Sequence, residues 1–208
     1  LASASDATGL VVAPPRKFLS IVARLLRDAR LASQNFETKA EYTILGHSDY
    51  RAQGETDEAI VKKVVSALKL GVVPILCVGE SRADHDSGRA KEFVASQLGK
   101  DLSPLLTFDL KLSTVLVAYE PIWSISTHPN ATPDTPENAN DMIQYIKGTL
   151  SKTFHLLPFT FYCLYGGSVN EANAESFLAQ PAIEGLLVGA ASLRAESIKK
   201  IVEMARRK

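Results

Sequence analysis

Apolar, strand-like runs alternate with helical patterns along most of the chain. Continuous apolar runs are typical of strands that are buried on both faces. We predict strands over residues 9–13, 31–35, 42–46, 72–78, 114–119, 159–164 and 185–188. Apolar residues recur with the 3.6-residue period of a helix over residues 17–30, 55–70, 89–98, 136–150, 171–179 and 195–205. The alternation predicts an α/β protein whose parallel sheet is covered by helices, as either a barrel or a doubly wound sheet.

Length, charge and cysteine content narrow the class of protein. The 208 residues are enough for one sizeable core, so we expect a single domain over residues 1–208. Lys+Arg and Asp+Glu both number 23, and this balance gives no sign of nucleic acid or a membrane surface as a partner. Cys77 and Cys163 lie inside apolar runs and are interpreted as reduced core residues. The histidines lack zinc-ligand spacing, so no metal site is predicted.

One connection is too short for the predicted fold. About six residues separate the runs over 31–35 and 42–46, whereas neighbouring parallel strands need a crossover of roughly a dozen. Either these strands are not parallel neighbours, or a segment is missing near Ala40. Residues 1–8 also contain no strand-like run. We therefore expect a first strand and one crossover segment to be missing from this chain.

Two candidate catalytic residues follow predicted strands. Glu120 ends the run over 114–119, and Pro121 then ends regular pairing, which is how a parallel sheet presents an acid or base. The alternative is a strand-end carboxylate that faces water. His47 precedes a predicted helix start at Ser48, where backbone N–H groups and the helix dipole favour a neutral ring. Such a ring can donate a hydrogen bond to a developing oxyanion, although it could equally be a capping residue.

Two glycine-containing turns follow the last two predicted strands, at Tyr165-Gly-Gly-Ser-Val169 and at Leu187-Val-Gly-Ala-Ala-Ser-Leu193. Barrels commonly build a phosphate site from the loops after these strands. Glycine lets the backbone approach an anion, and exposed N–H groups can bind it. Two tight turns without a ligand remain the alternative. Glu80 also ends a strand, after Gly79, and we interpret it as a structural residue.

Four motifs in this order resemble the triosephosphate isomerase family. They are Ile44-Leu-Gly-His-Ser48, Ala118-Tyr-Glu-Pro-Ile-Trp123, Tyr165-Gly-Gly-Ser-Val169 and Leu187-Val-Gly-Ala-Ala-Ser-Leu193. The resemblance implies a (β/α)8 barrel, with the first strand and one crossover segment missing here. It implies an aldose–ketose isomerase that interconverts dihydroxyacetone phosphate and glyceraldehyde 3-phosphate through an enediolate. It also implies a cytoplasmic homodimer of glycolysis and gluconeogenesis that needs no cofactor.

The resemblance assigns a role to each site residue. Glu120 is the base, His47 polarises the substrate carbonyl, and Ser48 and Asp49 support them. Residues 123–131 match the family's lid. The residues that the resemblance places around the substrate phosphate are Ser126, Gly167, Ser168, Gly189 and Ala190.

Departures from the family pattern keep two other functions open. The family's essential lysine is not found, a glutamate after the His-Ser pair is Asp49, and the lid reads Ser126-Thr-His-Pro129 where Gly-Thr-Gly-Lys is usual. The lid and phosphate-loop changes fit an isomerase of a related four-carbon sugar phosphate. True loss of the lysine fits a non-catalytic barrel that acts as a binding or scaffold protein.

Overall fold

A computed structural model of the chain describes residues 9–25, 29–34, 40–107, 115–154 and 161–208. The strands are β1 (Val11–Val12), β2 (Arg30–Ser33), β3 (Tyr42–Leu45), β4 (Val73–Val78), β5 (Leu116–Tyr119), β6 (Cys163–Tyr165) and β7 (Gly185–Leu186). The helices are α1 (Leu19–Leu25), α2 (Ser48–Ala52), α3 (Asp57–Lys69), α4 (Arg82–Asp86), α5 (Ala90–Leu102), α6 (Pro136–Phe154), α7 (Ala174–Leu178) and α8 (Ala195–Ala205). Short 3₁₀ turns cover Arg16–Phe18, Ser103–Thr107, Ile122–Ser124 and Ala190–Leu193.

The strands form one parallel sheet in sequential order. Each strand pairs with the next along the chain, from β1 to β7, and every pair is parallel. A doubly wound sheet would reverse its strand order at a switch point, whereas a barrel wall advances in one direction. The prediction of a parallel α/β fold of the barrel type is therefore confirmed. In the described part of the chain, β1 and β7 each pair on one side only.

The short connection before β3 does not prevent parallel pairing. Ala32 pairs with Tyr42 and Ser33 with Thr43, so the alternative that β2 and β3 are not parallel neighbours is wrong. The two strands overlap by only these two pairs. The eight residues between them are fewer than the roughly dozen of an ordinary crossover, which fits a barrel in which one crossover segment is missing. Residues 35–39 of that connection lie outside the described residues.

Several predicted boundaries need correction. The helix predicted over residues 17–30 corresponds to α1, Leu19–Leu25; residues 26–28 lie outside the described residues, and Arg30 already begins β2. The helix predicted over residues 171–179 is α7, which begins only at Ala174 and ends at Leu178. The Asn170 side chain accepts a hydrogen bond from the Ala172 N–H at 2.8 Å and forms a local turn. The ends of three predicted strands, at residues 35, 114 and 159–160, lie outside the described residues.

Side chains alternate between two faces of the sheet. On β4, Cys77 packs with Ala118 of β5 in an inner cluster, whereas Leu76 and Val117 pack outward against the helices. Glu120 lies two residues beyond Ala118, and the period of two along a strand places it on the inner face. Cys77 and Cys163 are both buried and free, as predicted. Among the described residues, no helix combines the length and apolar character needed to cross a membrane.

Candidate active site

A cavity of about 460 Å³ lies at the carboxyl ends of the strands. Eight of the predicted site residues line it: His47, Asp49, Glu120, Ser126, Gly167, Ser168, Gly189 and Ala190. Ser48 lies behind this wall, where it is buried and contacts Glu120. The carboxyl ends of parallel strands meet at one edge of the sheet, which is why residues far apart in sequence converge here. Their chemical roles remain predictions.

Glu120 is enclosed by protein and only 2% exposed. Its Oε2 accepts a hydrogen bond from the Ser48 N–H at 3.3 Å, and its Oε1 lies 3.5 Å from His47 Nε2. In the described part of the chain, no N–H or O–H group donates to the buried Oε1. Burial raises the pKa of the Glu120 carboxyl above its ordinary value, while His47, the Cys77 thiol and the Ser48 N–H oppose the rise. The site therefore holds a carboxylate that is a stronger base than an exposed one.

Two glycines make room for Glu120. A Cβ on Gly79, which follows β4, would lie 1.9 Å from the Glu120 carbonyl oxygen. A Cβ on Gly166, which follows β6, would lie 2.9 Å from Glu120 Cγ. A larger residue at Gly79 would displace the Glu120 backbone, and a larger residue at Gly166 would displace the Glu120 side chain. The glycines on the neighbouring strands thus fix where the Glu120 side chain lies.

His47 is the N-cap of α2. Its Nδ1 accepts a hydrogen bond from the Asp49 N–H at 3.2 Å. A ring nitrogen that accepts carries no proton, so this geometry assigns the proton of the neutral ring to Nε2, which faces Glu120. Arg51 anchors the turn from behind, because its Nε donates to the Gly46 carbonyl at 2.8 Å. A helix start therefore orients the imidazole that the sequence predicted there.

Arg51 also connects this turn to the interior. Its Nη2 donates to the Cys77 carbonyl at 3.2 Å and to Asp101 Oδ2 at 2.6 Å. Asp101 is fully buried, and burial raises its pKa to about 6 although Arg51 opposes the rise. Gly46 has a φ of 68°, and a Cβ there would lie 2.8 Å from Arg51 Nη2. The conformation before His47 thus depends on a glycine and on this ion pair.

The turn after β6 is held mainly by protein contacts. A Cβ on Gly167 would lie 2.1 Å from the Tyr165 hydroxyl oxygen, so Tyr165 requires the glycine there whether or not an anion binds. The Ser168 hydroxyl donates to the Ser124 carbonyl, and the Asn173 side chain donates to the Ser168 carbonyl at 2.9 Å. These bonds connect the turn to the lid and to the start of α7.

The turn after β7 is more open. An added Cβ on Gly189 would meet nothing within 4 Å, and the next residue, Ala190, begins a 3₁₀ turn. Both residues line the cavity. A ligand could therefore reach this stretch of backbone directly. The structure thus distinguishes the two glycine turns, which sequence reasoning treated alike.

Glu80 has the structural role that the sequence predicted. It is fully buried, and its Oε1 accepts hydrogen bonds from the Trp123 indole N–H at 2.7 Å and from the Tyr119 hydroxyl at 3.0 Å. Burial, followed by the nearby Glu80 charge, raises the pKa of the Tyr119 phenol well above its ordinary value, so Tyr119 remains a donor. Glu80 thereby joins the end of β5 to the first residue of the lid.

The cavity has an unusual charge balance for a site that would bind phosphate. Among the lining residues that the structure describes, Asp49 and Glu120 are acidic, and there is no lysine or arginine. His128 of the lid lies outside the lining, with its Nε2 3.8 Å from Asp49 Oδ1. The sequence did not indicate the lining residues Gln34, Tyr50 and Gln53, whereas Ile125, Thr127 and Leu187 belong to the predicted lid and to the predicted turn after β7. The position of Gln34 directly after β2 could have indicated it.

Fold and site together define a class of protein: an α/β-barrel enzyme with a buried carboxylate and an imidazole at the strand ends. A family model described as triosephosphate isomerase matches residues 31–205. The chain therefore belongs to the triosephosphate isomerase family and is an isomerase, which confirms the prediction from the motifs.

Three relatives, each named triosephosphate isomerase, illustrate the similarity. The protein of Hahella chejuensis is 36% identical over 225 residues, an alignment that covers 98% of this chain and 88% of the relative. The protein of Erwinia tasmaniensis is 33% identical over 224 residues, with 98% and 86% covered. That of Dehalococcoides mccartyi is 41% identical over 167 residues, with 79% and 63% covered. Two of these alignments are longer than the 208-residue chain, so those relatives carry residues without a counterpart here.

Proposed function

We propose that this chain interconverts dihydroxyacetone phosphate and glyceraldehyde 3-phosphate. The observation that carries the proposal is the pair formed by Glu120 and His47. Glu120 Oε1, which accepts from no N–H or O–H group of the described residues, lies 3.5 Å from the imidazole nitrogen that carries the proton. Both residues line one cavity, and the relatives that resemble the chain over most of its length are named for this reaction.

Proton transfer between two carbons requires one base and one hydrogen-bond donor. Glu120 removes a proton from the carbon next to the substrate carbonyl, and the electron pair of that C–H bond moves to give an enediolate. The His47 Nε2–H donates to the carbonyl oxygen as its negative charge develops. His47 passes its Nε2 proton to this oxygen and takes up the proton of the neighbouring hydroxyl group. Glu120 returns its proton to the former carbonyl carbon, which completes the isomerisation without net gain or loss of atoms.

The environment of Glu120 suits this step. A base abstracts protons most effectively when its pKa lies near the working pH, and burial moves the carboxyl pKa upward. The Ser48 N–H holds Oε2, which leaves Oε1 as the reacting oxygen. Asp49 supports His47 from the other side, because its N–H fixes the tautomer. Ser48 and Asp49 thus act through the two catalytic groups.

Backbone N–H groups supply the binding of the substrate phosphate in this proposal. Gly189 and Ala190 offer open backbone after β7, and Gly167 with Ser168 offers the turn after β6. Ser126 contributes from the lid. Because the described lining contains no lysine or arginine, these dipoles would hold most of the negative charge. We expect weaker substrate binding than a lysine in the cavity would give.

We extend the proposal to assembly and location. Residues 1–208 form a single domain, two copies form a homodimer, and the protein acts in the cytoplasm, as the family resemblance implies. Light scattering coupled to size-exclusion chromatography measures the mass in solution. A mass near twice that of the chain supports the homodimer, and a mass near 22.5 kDa contradicts it.

The proposal is tested by a coupled isomerase assay on the purified protein. Dihydroxyacetone phosphate and a four-carbon ketose phosphate are assayed side by side. Fast turnover of the three-carbon substrate supports the proposal. Turnover of the four-carbon substrate alone would show that the changed lid and phosphate turns select a longer sugar. Inactivity toward both, in protein whose circular dichroism shows a folded α/β domain, would instead favour the non-catalytic barrel.

A further inference from the structure

Arg82, the first residue of α4, contacts both ends of the lid formed by residues 123–131. Its Nη2 donates to the Trp123 carbonyl at 3.1 Å at the start of the lid. The same nitrogen lies 3.1 Å from the Asn130 carbonyl and 2.9 Å from Thr132 Oγ1 at the lid's other end. The guanidinium carbon also lies 5.5 Å from the centre of the Trp123 ring. One side chain therefore joins the entry and the exit of this segment.

The helix that carries Arg82 is fixed in place. The Ser81 hydroxyl accepts a hydrogen bond from the Asp84 N–H at 3.2 Å and donates to Asp84 Oδ2 at 2.6 Å, which caps α4. The Arg89 side chain donates to Asp84 Oδ1 at 3.3 Å. The His85 ring stacks on Trp123 with their centres 4.0 Å apart. Because α4 is braced in this way, Arg82 extends from a rigid support.

The backbone of the lid is shaped to meet Arg82. Asn130 has a φ of 58°, in a left-handed conformation that asparagine tolerates better than most residues, and its carbonyl points to the guanidinium. The Thr132 N–H donates to the Trp123 carbonyl at 3.0 Å, so the two ends also touch directly. Both Arg82 and Thr132 thus use the same carbonyl oxygen. Between these ends, Ile125, Ser126 and Thr127 line the cavity.

We propose that Arg82 is a positioning residue that holds the two ends of the lid together, so that residues 124–131 lie over the cavity as one unit. Arg82 touches no reacting atom and acts through the lid. The inference rests on the proposed function, because the position of the lid matters for turnover only if the cavity is a reaction site.

The first test measures how often the ends of the lid open in the protein without ligand. Trp123 is the single tryptophan of the chain and only 7% exposed, so its fluorescence reports on the start of the lid. Acrylamide quenching is compared in wild type, Arg82→Met and Arg82→Lys, with Arg206→Met as the control. Loss of the guanidinium should raise the quenching constant about twofold or more in Arg82→Met, because the ends of the segment open more often. Arg206→Met, which changes an exposed arginine that follows α8, should leave it unchanged.

The second test measures the effect on the site. Arg82→Met should lower kcat/KM for dihydroxyacetone phosphate about tenfold and weaken binding of glycerol 3-phosphate, which cannot isomerise, by a similar factor. Thr132→Val removes one acceptor and should have a smaller effect. In the double variant, kcat/KM should be no lower than in Arg82→Met alone, because both changes break the same contact. Arg82→Lys keeps the positive charge but loses the planar guanidinium with its several N–H donors. Its kcat/KM should therefore lie between those of Arg82→Met and wild type.

The outcomes separate this inference from the proposed function. Quenching that stays at the wild-type value in both Arg82 variants overturns the inference. So does raised quenching with unchanged kcat/KM and unchanged glycerol 3-phosphate binding. If wild type has no isomerase activity, the proposed function fails, and the quenching result alone decides whether Arg82 holds the lid. Additive effects of Arg82→Met and Thr132→Val would also contradict the inference.

Discussion

Replacing Glu120 with glutamine should abolish turnover while leaving the fold intact. The change keeps the shape of the side chain but removes the lone base of the proposed mechanism. A positioned general base typically contributes about 10² to 10⁴ in rate, and here it also starts the reaction, so we expect kcat to fall by about 10³ or more. His47 cannot replace it, because its Nδ1 is already occupied by the Asp49 N–H.

The effect of Glu120→Gln on stability follows from the contacts of the two carboxylate oxygens. The glutamine oxygen can keep the hydrogen bond from the Ser48 N–H, while its NH₂ group would take the place of Oε1, 3.5 Å from a donor nitrogen of His47. Two donors that face each other cost about 1 kcal/mol. Removing a buried negative charge offsets this cost, so the net change should be within about 1 kcal/mol.

The raised pKa of Glu120 also sets the sign of the pH dependence of stability. The pKa of Glu120 is raised in the folded state, so its contribution to stability is fully present below the unfolded pKa and is lost as pH rises through the folded pKa. Glutamine does not titrate. The free energy of unfolding of Glu120→Gln relative to wild type should therefore increase as pH rises from the ordinary glutamate pKa of 4.5 through the raised pKa of Glu120 in the folded state.

Steady-state kinetics and urea unfolding over that pH range provide the assay. In wild type, kcat/KM should fall as pH drops through the raised pKa of Glu120, because only the ionised carboxylate acts as a base. A Glu120→Gln variant that retains activity within about tenfold of wild type would refute the assignment of the base. A relative stability that decreases with rising pH would refute the account of the buried charge.

Three further changes test the packing and charge around the site. Gly166→Ala places a methyl group 2.9 Å from Glu120 Cγ, so kcat should drop about tenfold or more, and unchanged kinetics would contradict the fixed position of the carboxylate. Phe177→Ala removes a ring that is 1% exposed and stacks on Tyr165 at 4.2 Å, which should lower the urea-unfolding free energy by about 3 to 5 kcal/mol; a loss below about 1 kcal/mol would contradict this packing. The pKa of Asp101 is raised from the ordinary value of 3.8 to about 6. Its contribution to stability is therefore fully present below pH 3.8 and is lost as pH rises through 6, and the loss amounts to about 3 kcal/mol. The free energy of unfolding of wild type minus that of Asp101→Asn should thus fall between those pH values, and a rise would show that the pairing with Arg51 dominates.

The fold could be predicted largely from the spacing of apolar residues. Strands buried on both faces appear as continuous apolar runs, so all seven strands were predicted close to their observed places. The helices α2 and α4 each have five residues and are too short to show a helical period. The start of α7 was placed too early, because an asparagine turn at Asn170 competes with a helix cap.

The site could be predicted in part for a geometric reason. His47 and Glu120 each follow a parallel strand, and such strands meet at one edge, so their convergence was expected. The contact between the Ser48 N–H and Glu120 spans 72 residues of sequence, and no local pattern reports it. The contacts of Arg82 with the lid likewise join residues far apart in the sequence and could not be predicted from a local pattern. Gly167 was predicted as a ligand contact, and that role stays a prediction; what the sequence did not indicate is that the Tyr165 hydroxyl also requires a glycine there.

The central claim is that Glu120 takes a proton from a substrate carbon and that the proton exchanges with solvent through an enediolate. Incubation of dihydroxyacetone phosphate with the protein in deuterium oxide, followed by proton NMR, tests this claim most directly. In the wild-type reaction we predict deuterium in the product at the neighbouring carbon, which receives the proton, and in recovered substrate at the carbon that lost it. With Glu120→Gln we predict no enzyme-dependent deuterium. Product that forms without any deuterium in wild type, or equal labelling by the variant, would contradict the account.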